Sequence, residues 1–491
     1  MAGSNSVLLV TVDCLRRDHV GFLGYDRPTT PVLDSLAKES VVFGSAIVAG
    51  TPTYYSFPAI LGSRFPLSLG RDVLGIPRKD ETLATALRDQ GFATAAFVAA
   101  NPYLTPYFGY EQGFDVFQDF LGAKLEPLSN GSSPGSQRNW LGRLNAALEH
   151  VSKSLGPVGA IYDELYFQYC QRWSVPKPRS LTELRRFPAA DVIVDAATNW
   201  LSNLGNKKFF LWIHLMDPHA PYYPTEEALA LMGSSEVTPF RAQYLNGVWN
   251  RELHPNRLQR YRNAVMELYD AGVRWVDAQI GCLIQTLRKS DLWENCAFVL
   301  TADHGEEFLD HGGRFHAPGH LTEELIRVPL LMRFPGFETI PITKSPFSLL
   351  HLAPTLLDAL NAPIPGSFRG TSRWTQIQRG ESWDDPAIAE CVEGCTNPFH
   401  INNRIGPRVL AVREARFKLI IHFDGHSEEL YDLAADPKEQ KPLPTTAEKQ
   451  TRHRLLEHAR AHLHSSIASR NPQVRLRSQL RDLQLEWARS D

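Results

Sequence analysis

An α/β fold, with a mostly parallel central sheet covered by helices on both faces, follows from three features of this 491-residue chain. Short apolar, β-branched runs recur along it, amphipathic helix-like stretches separate them, and several of the runs end in an acid or an imidazole. The first run is 7–13 (VLLVTVD), a buried strand with a carboxylate at its C-terminal end. Runs 92–99 (FATAAFVA), 209–216 (FFLWIHLM), 296–302 (CAFVLTA) and 328–333 (VPLLMR) have the same character. Between them the spacing predicts helices at 31–40, 80–90, 189–204, 257–289 and 346–360, the alternation that gives parallel strands.

Two regions break this rhythm. Residues 121–187 carry the polar, turn-rich tract LSNGSSPGSQ and read as an insertion or lid within a catalytic domain spanning 1–384. Residues 385–445 hold short strand-like segments (VLAVRE, FKLIIHF, ELYDL) with close turns, which predict a small antiparallel sheet subdomain. The charged stretch 446–491 reads as a helical tail.

The composition, 43% apolar and 21% charged, is that of a globular domain. A net charge of −3 excludes an electrostatic footprint for nucleic acid or anionic membrane. Six scattered cysteines suggest reduced thiols. The start, MAGSNSVLLVTVD, has neither a basic segment nor a cleavable apolar core, and no window reaches the ~20 apolar residues of a membrane span. The expectation is a soluble cytoplasmic protein with no stable membrane insertion, its oligomeric state open.

Chemistry-bearing groups sit at strand ends: Asp13, the pair Asp217 and His219, and the pair Asp303 and His304 in TADHGEE. Ligands bind outside the carboxyl ends of strands in open α/β sheets, so these groups should converge. Carboxylate beside imidazole suits manganese or zinc better than calcium, which prefers all-oxygen shells. A lone Asp-His would as readily be a helix cap followed by a surface histidine. Three such strand ends together weigh against that. In GTPTYYSFPAILGS a hydroxyl stands just ahead of a short helix, where the dipole and a metal would activate it, although Thr53 and Ser56 could each be simple N-cap residues. His311, His316 and His320 crowd the Gly-rich HGGRFHAPGH, which can neutralise an anion or protonate a leaving group. Cys391 and Cys395 with His400 read as structural, and strand alternation points Cys14 into the core.

In order along the chain, VLLVTVDCLRRDHVGFLGYDRPTTPVLDSLA, TYYSFPAILGSRFP, LWIHLMDPHAPYYP, YDAGVRWVDAQIGCL, TADHGEEFLDHG, LTEELIRVPLLMRFPG and AVREARFKLI with ELYDLAADPKEQ resemble the sulfatase branch of the alkaline phosphatase superfamily. That resemblance implies hydrolysis of sulfate esters, phosphate mono- and diesters or phosphonates, or transfer of a phosphoryl-linked group to an alcohol. It implies one divalent metal, with a second conceivable at Asp217. Typical sulfatases carry C-x-P-S-R, whose cysteine becomes formylglycine; here Thr53 stands at that place and Phe57 at the arginine. Asp303-His304 stands where calcium-dependent members have Asp-Asn, so the set Asp13, Thr53, Asp303 and His304 is similar to the single-metal site of phosphonate monoester hydrolases. By the same resemblance Thr53 is the nucleophile of a phosphodiester, phosphonate or phosphate monoester hydrolase. His219, Asp217 and Asn101 contact a small-molecule substrate, His316 or His320 serves the leaving group, and Arg64 or Arg314 replaces the lost arginine. The alternatives are a sulfatase working without formylglycine, a phosphotransferase to an alcohol acceptor and, last, a non-catalytic binding protein on this fold.

Overall fold

The computed structural model describes residues 6–71, 73–78, 80–122, 178–337 and 345–468. Its strands, in chain order, are β1 (Ser6–Val12), β2 (Val41–Ile47), β3 (Ala93–Val98), β4 (Val116–Gln118), β5 (Phe209–Leu215) and β6 (Cys296–Ala302). After the ribbon of β7 (Glu307–Phe308) and β8 (Arg314–Phe315) come β9 (Arg327–Arg333) and β10 (Phe347–Ser348). Eight of these form one sheet in the order β10-β2-β9-β6-β1-β5-β3-β4. At its centre β1 pairs in parallel with both β5 and β6, and every residue of all three is buried, which is why they read as continuous apolar runs.

Aromatic contacts identify the two faces. Trp200, from helix Ala190–Ser202, meets Phe209, while Phe57, from helix Thr53–Gly62, meets Trp212 and His214. Side chains alternate along β5, so the two helices lie on opposite sides. The long helix Arg262–Lys289 packs beside the first, and Leu83–Asp89 and Leu352–Ala359 beside the second. Among the described residues no helix is long and apolar enough to cross a membrane.

Three elements depart from the sequence reading. Residues 328–333 lie in β9, which runs antiparallel to both β2 and β6. A parallel return needs a crossover of a dozen or more residues, usually a helix, and 303–326 instead carries the ribbon and the single turn Glu323–Ile326. β2 was not anticipated, because Gly44 and Ser45 interrupt its pattern where the register shifts between Phe43 and Ala46. The stretch 257–289 divides into Pro255–Leu258 and Arg262–Lys289. Most of the 121–187 insertion lies outside the described residues.

The C-terminal strands β11 (Ala387–Val392), β12 (Arg408–Arg413), β13 (Phe417–His422) and β14 (Ser427–Asp432) form the expected antiparallel sheet. One face of it, with Leu410, Val412, Leu419 and Leu430, packs on Leu455 and Ala459 of helix Lys449–Ala468. The alternate residues Val409 and Ala411 belong to the core of the large domain. The sheet is therefore a shared wall between tail helix and catalytic domain.

Glu390 is buried at this seam. It accepts hydrogen bonds from the Leu67 amide (3.0 Å) and His462 Nε2 (3.0 Å), with Arg408 Nε at 3.8 Å. Burial pushes its carboxyl up, but His462 and Arg408 outweigh that and hold it at about 2, against an ordinary 4.5. A depressed acid stabilises the fold above its unfolded value and loses that contribution as pH falls through the folded one. We expect a loss on the order of 3 kcal/mol between pH about 4.5 and 2 from this group. Denaturant melts across that window should show it, and Glu390→Gln should flatten the dependence while lowering stability at pH 7.

Candidate active site

The register of the three central strands sets the site. Val12 pairs with Ala302 and Thr11 with His214, so Asp13 and Asp303 leave neighbouring strands at the same level, both fully buried. Asp13 Oδ2 accepts from Asn101 Nδ2 (2.9 Å) and lies 3.3 Å from His214 Nε2. Asp303 Oδ1 accepts from the His304 amide (3.0 Å), and among the described residues its Oδ2 has no hydrogen-bond partner.

His304 is oriented by its own turn. Nδ1 donates to the Gly305 carbonyl (2.8 Å), which leaves the Nε2 lone pair facing Thr53 Oγ1 (3.2 Å), Asp303 Oδ2 (3.6 Å) and Asp13 Oδ1 (3.7 Å). Thr53 is the first residue of helix Thr53–Gly62, so its hydroxyl stands at the positive end of that helix. Electrostatics divide the carboxylates. Burial raises Asp13, yet the imidazoles of His219, His214 and His304 outweigh it and hold the group well below the usual range. Burial and the Asp13 charge push Asp303 upward.

His214 belongs to this cluster and is missing from the residues singled out in the sequence. Trp212 Nε1 donates to Thr11 Oγ1 (2.9 Å), and the Thr11 hydroxyl lies 3.0 Å from His214 Nδ1, turning Nε2 toward Asp13. The available signal was a lone imidazole inside the apolar FFLWIHLM, three residues ahead of the expected strand-end acid Asp217. One ligand atom each from Asp13, His214 and Asp303 all lie within 4.8 Å of one another. Two carboxylates and imidazole nitrogens, with one buried carboxylate oxygen unpartnered, fit a divalent cation.

His219 and His316 flank the cluster. The His316 ring lies 4.5 Å from that of His304 and 5.1 Å from that of His219. His219 Nδ1 donates to the Ala220 carbonyl, leaving Nε2 available. His320 is separate: its Nδ1 pairs with Glu307 (3.2 Å), it is 45% exposed, and its carbonyl accepts from Thr51 Oγ1. Of the two alternatives for the leaving-group histidine, the geometry brings His316 to the cluster. His311 is taken by Glu324 (2.6 Å).

Four of the expected site residues have protein partners of their own. Asn101 binds Asp13, so it positions a carboxylate instead of presenting its amide to substrate. Arg64 follows the C-terminal end of the helix that Thr53 begins, about 15 Å away, and engages the Gly75 carbonyl and Asp80. Arg314 donates to the Trp249 and Arg251 carbonyls. Asp217, expected at substrate or a second metal, pairs through Oδ1 with Arg185 (2.9 Å), both side chains buried. Arg185 comes from the last residues of the insertion and also donates to the Tyr223 carbonyl. Gly272 lets the long helix approach this turn, since a Cβ there would sit 2.6 Å from the Asp217 carbonyl oxygen.

Residues 5–362 match the family model described as Sulfatase, and 313–466 that of N-sulphoglucosamine sulphohydrolase, C-terminal. The chain belongs to the sulfatase family, whose members are metal-dependent ester hydrolases of the alkaline phosphatase superfamily. It is 27% identical over 281 residues to arylsulfatase K of Canis lupus familiaris, covering 51% of each chain, and so spans about half the length of that relative. It is 24% identical over 478 residues to an arylsulfatase of Clostridium perfringens, covering 91% of this chain and 92% of the other. Among solved structures, one in complex with its substrate D-glucosamine-2-N,6-O-disulfate superposes with a TM-score of 0.67 at 18% identity, covering 94% of this chain and 98% of that one. The phosphonate monoester hydrolase of Agrobacterium radiobacter superposes with a TM-score of 0.62 at 18% identity, covering 94% and 96%. At that identity the likeness is one of fold.

Burial lifts the Asp217 carboxyl despite Arg185, so removing the arginine would leave a buried acid unpaired. Arg185→Met should cost about 3–5 kcal/mol in urea unfolding. Asp217→Asn in the same chain should recover part of that loss.

Proposed function

We propose that this chain hydrolyses phospho- or sulfo-esters through Thr53, with phosphonate, phosphodiester or phosphate monoester substrates favoured over sulfate. The observation that carries the reading is the placement of Thr53, 3% exposed at a helix N-terminus, 3.2 Å from His304 Nε2 and beside Asp13 and Asp303. Asp13, Asp303, His304 and Thr53 would hold one divalent cation, manganese or zinc more readily than calcium because imidazole is among the donors. Such a cation supplies Lewis acidity to the oxygens it contacts.

The remaining work falls to the chain. Thr53 Oγ1 loses its proton to solvent and attacks phosphorus in line, and the bond to the alkoxide leaving group breaks. His316 gives that alkoxide its proton, and His219 Nε2 hydrogen-bonds a non-bridging oxygen as charge develops there. Water then attacks the Thr53 ester, the bond from Oγ1 breaks, and the hydroxyl is restored. An alcohol in place of water would make the same residues a transferase. Threonine has a single hydroxyl and cannot expel sulfate by elimination, so a sulfothreonine would need direct attack of water at sulfur. That asymmetry favours phosphorus, while the likeness to the Clostridium perfringens arylsulfatase across 91% of this chain supports sulfate as the second reading.

Turnover of p-nitrophenyl phosphate, bis(p-nitrophenyl) phosphate, a p-nitrophenyl phosphonate and p-nitrophenyl sulfate, with manganese or zinc, separates these readings. We expect the phosphorus esters to lead, and Thr53→Ala to reduce turnover by at least about 10³-fold. Turnover of sulfate alone would sink the phosphorus preference. Full activity in Thr53→Ala would sink the nucleophile.

A further inference from the structure

Strand alternation would send Cys14 into the core, but its backbone turns instead. Cys14 has φ +60°, in the left-handed region that residues with a Cβ seldom occupy, and such strain persists where surroundings over-determine it. The turn brings a fully buried thiol to the site: Sγ is 3.1 Å from Asp13 Oδ1 and 3.5 Å from His316 Nδ1. Donor atoms of Cys14, His304 and His316 lie within 4.8 Å of one another, as do those of Asp13, Cys14 and His219. Two protein donors on one tetrahedral cation stand roughly 3–4 Å apart, and the 3.1 and 3.5 Å separations of Sγ from Asp13 and His316 fall in that range. A second feature points the same way. Among the described residues Asp303 Oδ2 is buried 3.6 Å from His304 Nε2 without a hydrogen-bond partner, and a third buried carboxylate, Glu306, has Oε1 3.3 Å from His316 Nδ1. Three buried carboxylates around one thiol call for a cation.

We propose that Cys14 Sγ is a thiolate ligand of the cation held by Asp13, Asp303 and His304. The inference rests on the metal-centre reading above. On binding, the thiol proton passes to solvent as the sulfur–metal bond forms. A soft donor beside imidazoles shifts preference toward zinc and away from calcium and manganese.

Cobalt(II) loaded into the full chain reads this without turnover. Wild type should bind cobalt, counted by elemental analysis, and show thiolate-to-cobalt charge-transfer absorption in the near-ultraviolet beside visible d–d bands. Cys14→Ser should keep the d–d bands and lose the charge transfer, whereas Cys391→Ser and Cys395→Ser should keep both. In zinc-loaded wild type, X-ray absorption should show sulfur at about 2.3 Å, a measurement that needs no variant to fold. Bound cobalt with d–d bands and no charge transfer, a band that survives Cys14→Ser, or a zinc shell of nitrogen and oxygen alone would each remove Cys14 and leave the metal centre standing. Failure of wild type to bind either cation would overturn the centre itself and this ligand with it.

Discussion

Two carboxylates, Asp13 and Asp303, are buried side by side at the ends of adjacent parallel strands, and much of the structure answers the cost of that arrangement. Like charges in a dry interior repel strongly and can persist only beside compensating groups. The compensation here is neutral or protonatable: Asn101 and His214 on one carboxylate, and the amide and ring of His304 by the other. The hydrogen-bond chain from Trp212 through Thr11 to His214 extends this support into the sheet itself. A cation is the one addition that would satisfy both acids at once, which is why the metal reading and the strand register are a single argument.

The histidines illustrate how packing sorts residues of one type into different work. His311 and His320 have private carboxylate partners, Glu324 and Glu307, and burial of Glu307 makes its pairing structural. His316 lies between His304 and His219, with its Nδ1 on Glu306, so it and His219 bring their Nε2 atoms to the cluster while His311 and His320 sit apart from it. Asp217 follows the same logic in reverse. It sits at a strand end like Asp13, yet Arg185 reaches it from the segment before helix Ala190–Ser202, and the acid becomes a brace for the turn that carries His219.

The legible part of this protein was the part governed by local pattern. Fully buried parallel strands announce themselves as apolar runs, and the acids after β1 and β6 mark functional ends; Asp13, Asp303, His304 and Thr53 do come together. What the sequence hid depends on partners distant along the chain. Strand direction for β9 is decided by the absence of a crossover helix, not by VPLLMR itself. His214 looks like an oddity within a strand until the register sets it beside Asp13. Arg64 is eleven residues from Thr53 in sequence, but ten residues of helix put it at the opposite end. Cys14 escaped because alternation holds only while the strand continues, and the strand ends at Val12.

The C-terminal sheet reaches into this chemistry through the turn that presents Thr53. The Glu390 amide donates to the Ala49 carbonyl (2.9 Å), and a Cβ on Gly50 would come within 2.3 Å of the Glu390 carbonyl oxygen, so β11 is pressed against the turn where only glycine fits. On the other side Thr51 Oγ1 binds the His320 carbonyl, and Tyr54 OH binds the Cys395 carbonyl. The turn that carries Thr53 is thus held by the segments around His320, Glu390 and Cys395, and two of them are anchored in turn, His320 on Glu307 and Glu390 on His462 of the tail helix. A hydroxyl that must sit within hydrogen-bond reach of His304 tolerates little drift. The small sheet and the helix behind it therefore belong to the scaffold that positions Thr53, although neither contributes a group to the Asp13, Asp303 and His304 cluster.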